Sequence, residues 1–134
     1  MKTKIVVLLV ILSFSLPVLA ARWESLVSLS NKEGTASVYL DRQTVKTINK
    51  GNEKLINFWL RSELNNKVTS ENIKAVNRYE VNCNTKAAFI VEENIKVYKG
   101  SSLVANAEKK ETKKLQGKQY YDLENIMKQM CSEY

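Results

Sequence analysis

No histidine occurs anywhere in this chain, and its 134 residues include only two cysteines, four glycines and one proline. The missing imidazole removes the commonest general base and the commonest nitrogen ligand for zinc. Cys83 and Cys131 lie far apart, so there is no Cys-x-x-Cys redox motif and no thiolate zinc cluster. A Gly-rich phosphate loop and a calcium loop are also absent. Glu92 and Glu93 are adjacent, and successive residues of a strand point to opposite faces, so they cannot act as a glycosidase pair unless a bulge re-aims one. Ser101 and Ser102 have no matching base in view. The expectation is a non-enzyme that uses no cofactor and holds no metal.

The one proline, Pro17, belongs to the N-terminal segment. That segment opens with the basic Met1-Lys2-Thr3-Lys4, continues as an almost wholly apolar run from Ile5 to Leu16, and ends in Pro17-Val18-Leu19-Ala20. This is the layout of a secretory signal peptide, with cleavage expected between Ala20 and Ala21. The apolar run is shorter than the ~20 residues a spanning helix needs, so no transmembrane segment is expected after cleavage. Residues 21–134 are then read as a single domain, in the periplasm or at the cell surface or beyond it. No cysteine stands at the cut, which argues against lipid attachment there. Of 21 basic residues, Lys2 and Lys4 leave with the signal, so 19 oppose 14 acidic ones and the net charge is +5. That balance favours anionic partners, and export disfavours nucleic acid among them.

Two cysteines in an exported chain read as one disulfide, Cys83–Cys131. Closing a loop of roughly 50 residues would contribute about 4 kcal/mol in the chain-entropy account.

Alternation supplies the strands. Trp23 to Ser30 carries Trp23, Ser25, Val27 and Leu29 on one parity, and Thr35 to Leu40 alternates after a turn, which predicts a hairpin. Asp41 has the chemistry either to cap a short helical turn or to close the strand, and Ile48 to Asn52 reads as a turn. Lys54 to Leu64 is apolar on both parities, which predicts a central strand. Ile73 to Cys83 has the cleanest period of two, with Ile73, Ala75, Tyr79, Val81 and Cys83 on the apolar side and Asn77 as the exception. In Ala87 to Lys99 the parity of Phe89, Val91, Ile95 and Val97 is interrupted by Glu93. A lone buried carboxylate is costly, so a bulge is expected near Glu92-Glu93-Asn94. Ser102 to Ala107 makes a sixth strand, and the charged stretch from Ala107 to Gln119 reads as loop.

Asp122 is expected to cap a helix whose Leu123, Ile126, Met127 and Met130 form one apolar stripe, with Cys131 at its edge and Tyr120 and Tyr121 stapling its start. A helix lying on the sheet would bring Cys131 to Cys83. The fold class is therefore α+β: about six antiparallel strands with a C-terminal helix packed on one face and tied by the disulfide.

Two features invite a functional reading. Lys109, Lys110, Lys113, Lys114 and Lys118 are interleaved with Glu108 and Glu111, either as a basic patch for an anionic polysaccharide or acidic protein segment, or as a solvated connection. Trp59, with Asn57 and Arg61 on its parity, either lies on a binding face or packs under a neighbouring element. Tyr79 and Tyr98 are open to the same two readings.

Taken in order, Trp23, Tyr39-Leu40-Asp41 with Thr44-Val45, Asn57-Phe58-Trp59, Tyr79-Glu80-Val81-Asn82-Cys83, Tyr98-Lys99-Gly100 and the helix ending in Cys131 resemble the surface-adhesin protein E-like family of small bacterial exported domains. The likeness covers nearly all of residues 22–131. It implies an antiparallel sheet with a disulfide-tied C-terminal helix. It also implies a surface protein that binds host matrix or serum proteins such as vitronectin, laminin or plasminogen. The alternative is a soluble periplasmic accessory or envelope-stress protein with no host partner.

Overall fold

The computed structural model describes residues 23–134, so the expected signal segment and its cleavage site at Ala20 and Ala21 lie outside the described residues. The chain runs β1 (Trp23–Ser30), β2 (Gly34–Asp41), a 3-10 turn (Arg42–Thr44), β3 (Lys46–Lys50), β4 (Glu53–Asn66), β5 (Glu71–Asn82), β6 (Ala88–Lys99), β7 (Ser102–Lys109), β8 (Lys113–Lys114) and helix α1 (Gly117–Glu133). All strands join one antiparallel sheet in the order β1-β2-β4-β5-β6-β7, with β3 beside β4 and β8 beside β6. The six ordered strands are those expected from alternation. The two short additions, β3 and β8, fall where the sequence reads as turn and loop. Each is held by pairing with a long neighbour, because five and two residues carry too little alternation to show.

Helix α1 covers one face of the sheet. Leu123, Ile126, Met127 and Met130 are buried against Leu40, Ile56, Phe58, Leu60, Val81, Ala88 and Ile90. The Phe58 and Tyr79 rings stack beneath them with centroids 6.0 Å apart. The expected clasp is present: Cys83 and Cys131 form a disulfide with Cα atoms 5.7 Å apart. Hydrogen bonds brace it on both sides. Cys83 N–H donates to the Lys54 carbonyl at 2.9 Å, and Lys54 Nζ donates to the Cys131 carbonyl at 3.1 Å. Buried Asn82 accepts from the Asn84 and Thr85 amides at 2.9 and 3.1 Å, shaping the turn that follows β5. Asp41 caps the 3-10 turn as its chemistry suggested, accepting from Gln43 N–H at 3.0 Å.

Three expectations are corrected. The helix starts at Gly117 rather than Asp122, so Tyr120 and Tyr121 lie inside it. Tyr120 packs on the core and donates its hydroxyl to the Lys86 carbonyl at 2.7 Å, extending the apolar stripe one turn upstream. The stretch 107–119 is not a loop: β7 runs to Lys109, β8 pairs with Phe89 and Ile90, and Leu115 is buried in the core with its N–H bonded to the Ala88 carbonyl at 2.9 Å. Finally, bulges switch the parity of two strands. In β6 the bulge expected near Glu92-Glu93-Asn94 is present and falls at Val91, where the partners pass from Arg78–Glu92 to Tyr79–Ile90; what it corrects is the parity of Phe89. Ala88 and Ile90 are therefore in the core, and Phe89 lies on the opposite parity, across from Glu80. In β1 the extra residue is Leu26, so Trp23 and Ser25 share the face of Tyr39, whereas Val27 and Leu29 lie across from Val38 and Ala36.

Candidate functional site

The sheet face away from α1 carries the chemistry that the core does not use. Strand pairing places Trp59 of β4 beside Arg78 of β5 and Glu92 of β6, and Asn57 beside Glu80. The Arg78 guanidinium lies 6.0 Å from the Trp59 ring centroid and donates to Glu92 Oε1 at 3.0 Å and to Asn57 Oδ1 at 3.4 Å. Cation–π contacts of this kind contribute about 0.5–1 kcal/mol at exposed sites and more when desolvated.

One step along β4, Arg61 lies between two rings, 5.1 Å from the centroid of Trp23 and 4.4 Å from that of Tyr39, with Glu63 at 3.5 Å. Farther along, Lys74 Nζ is 5.6 Å from the Tyr98 ring. Three cation–aromatic groups thus decorate one face. They stand there because β2, β4 and β5 alternate in phase, so that polar-parity residues of neighbouring strands become lateral neighbours.

Trp59 is half-buried and borders a cleft on each side. A cleft of about 600 Å³ is lined by Gln43, Thr44, Lys46, Ile48, Asn57, Trp59 and Arg78. Another, of about 380 Å³, lies among Trp59, Val76, Glu92, Glu93, Asn94, Glu108, Lys109 and Lys110. Both volumes fall within the roughly 300–1,000 Å³ typical of small-ligand sites. Their charges differ: Lys46 and Arg78 are the charged residues lining the larger cleft, whereas three glutamates outnumber two lysines in the smaller.

The lysines singled out in the sequence do not form one patch. Lys109 and Lys110 border the smaller cleft. Lys113 and Lys114 sit on β8 across from Ile90 and Phe89, hence on opposite faces, and Lys118 lies in the first turn of α1. Glu92 and Glu93 also diverge, since Glu92 pairs with Arg78 and Glu93 lies across from Asn77. Of the ambiguous tyrosines, Tyr79 packs against the core, and Tyr98 shares the parity of Lys74 beside Asn72 on the outer face. Burial pushes the Tyr79 phenol above its ordinary pKa; the Asn77 hydrogen bond opposes that shift.

The sequence points to Trp59, Asn57 and Arg61 but not to Arg78 or Lys46, and it raises Glu92 only as one of two adjacent carboxylates. A signal for Arg78 was available, because it lies on the polar parity of the best-patterned strand. Its register against Trp59 was not readable from either strand alone. Among the described residues no group of three His, Cys, Asp or Glu side chains is placed to hold a metal ion, and no helix is long and apolar enough to cross a membrane. No protein-family model, no curated protein and no solved structure matches the chain.

Proposed function

We propose that this chain is an exported, non-enzymatic binding domain that presents the Trp59–Arg78 face to a partner. The observation that carries the reading is a half-buried tryptophan, with an arginine guanidinium 6.0 Å from its ring centroid and a cleft on either side, on the sheet face that α1 leaves uncovered. Tryptophan, tyrosine and arginine are the residues that most often dominate binding energy at interfaces. The disulfide agrees with an oxidising compartment outside the cytosol. The resemblance to the surface-adhesin protein E-like family supports a protein partner, of the class of host matrix or serum proteins such as vitronectin, laminin or plasminogen.

Affinity capture with the oxidised protein, run against both serum and periplasmic extract, tests this reading. We expect a specific partner whose binding falls more than tenfold in Trp59→Ala. Equal capture by wild type and Trp59→Ala would move the binding site off this face.

The second reading, a periplasmic accessory or envelope-stress protein, is favoured by one observation. Both cysteines of the sequence are committed to the bridge, so neither is free to carry a lipid. Labelling of intact cells separates the two. Reactivity that appears only after the outer membrane is breached would rule out the adhesin reading.

A further inference from the structure

We infer that the larger cleft beside Trp59 is a site for an acidic saccharide, a sugar chain carrying carboxylate or sulfate groups. This rests on the proposal that the Trp59 face is the binding face, and adds the chemistry of what it takes. A sugar ring presents an apolar face of C–H groups and a rim of hydroxyls that each donate and accept. The cleft offers a counterpart to each. Trp59 is a flat apolar platform; Gln43 and Asn57 supply amides and Thr44 a hydroxyl, which between them donate and accept. Lys46 lines the cleft with no ion pair among the described residues, while the Arg78 charge is shared with Glu92 at 3.0 Å, so an anionic substituent is favoured at the Lys46 end. Arg78 has five N–H donors and uses two, on Asn57 and Glu92, which leaves others for a ligand.

An extended peptide fits less well. Its main chain gains affinity by pairing with a free strand edge; beneath Trp59 the backbones of β4 and β5 are paired with each other, and the free edge nearby is the outer side of β3, where a peptide would pair beside the cleft rather than over the indole. At about 600 Å³ the cleft has room for more than one sugar residue. Trp59 also borders the smaller cleft, so a chain can continue across the indole towards Lys109 and Lys110.

The test is an NMR titration of the oxidised protein with four probes: a hyaluronan tetrasaccharide, a heparin-derived tetrasaccharide, maltotetraose and polyglutamate of matched charge. The indole N–H of Trp59 should shift with one or both acidic saccharides and not with maltotetraose, while that of Trp23 stays in place. The first two probes tell a carboxylate preference from a sulfate one. Lys46→Gln, at an exposed position that leaves the core intact, should weaken binding at least tenfold. Equal binding of polyglutamate would reduce the site to a polyanion contact and overturn the saccharide assignment. So would silence from both acidic sugars. If a captured protein partner still depended on Trp59 in that case, the binding face would stand and the saccharide alone would fall. Loss of both would sink the two together.

Discussion

A single methyl group added at position 34 would meet the Asn65 carbonyl oxygen at 1.8 Å, so the close approach of β2 to β4 admits only glycine there. Gly34→Ala should cost about 1–3 kcal/mol, the usual range for overpacking, and lower the urea midpoint accordingly. An unchanged midpoint would mean that the end of this strand pair separates freely. Tyr79 is the other residue whose environment makes a measurable claim. Its folded-state pKa is raised by burial, so its contribution to stability is complete below the ordinary phenol value of about 10 and is lost as pH rises through the higher folded value. Wild type should therefore lose stability on the alkaline side faster than Tyr79→Phe, read as melting temperature against pH. Parallel curves would contradict the assignment.

The C-terminal helix is an element held at both ends. Tyr120, Leu123, Ile126, Met127 and Met130 supply its packing, and the bridge at Cys131 ties it to the end of β5. Its last turn carries Glu133, a carboxylate at the end where the helix dipole disfavours one. Arg42 answers that charge, donating to Glu133 Oε2 at 2.6 Å while also paired with Glu24 of β1 and within 3.3 Å of the Tyr134 hydroxyl. The Arg42 hydrogen bond, with a smaller contribution from Gln129, holds Glu133 below the usual carboxylate range. The Arg42 pKa is raised in turn, chiefly by Glu24 and then by Glu133.

A depressed carboxylate contributes stability above its unfolded pKa of about 4.3 and loses it as pH falls through the folded value. The melting-temperature gap between wild type and Glu133→Gln should accordingly be full at neutral pH and close in acid. A gap independent of pH would assign the effect to packing. Replacing both cysteines by serine should cost up to about 4 kcal/mol for the 48-residue separation. It should also raise amide exchange in α1 before it does so in β4 and β5, since the sheet keeps its own ladder.

At the scale of the molecule, the sheet has two working faces. One is spent on the core with α1, and the other exposes tryptophan, tyrosine and arginine in neighbouring rows. The placement of the lysines makes the proposed binding face testable from a second side. Lys109→Gln with Lys110→Gln should weaken partner binding and flatten its salt dependence, because these two border the cleft beside Trp59. Lys113→Gln with Lys114→Gln, split across two faces on β8, should change little. The reverse ranking would place the binding surface near β8 instead.

Much of this architecture could be read from the chain. The alternation from Ile73 to Cys83 marked β5 and its core side, and the stripe from Leu123 to Met130 marked the element that covers it. With two cysteines the bridge had only one intramolecular pairing to take. These signals are local: a period of two, a period of 3.6 and a count of thiols. What escaped is set by partners distant in sequence. The extra residue Leu26 reverses the parity of half of β1 only because its neighbour's register requires it, and the bulge that Glu93 announced falls at Val91 for the same reason. Lys113 and Lys114 become a strand only because β6 offers an edge. The pairing of Trp59 with Arg78 has the same origin, since a side chain's lateral neighbours on a sheet are chosen by register, which no single strand encodes.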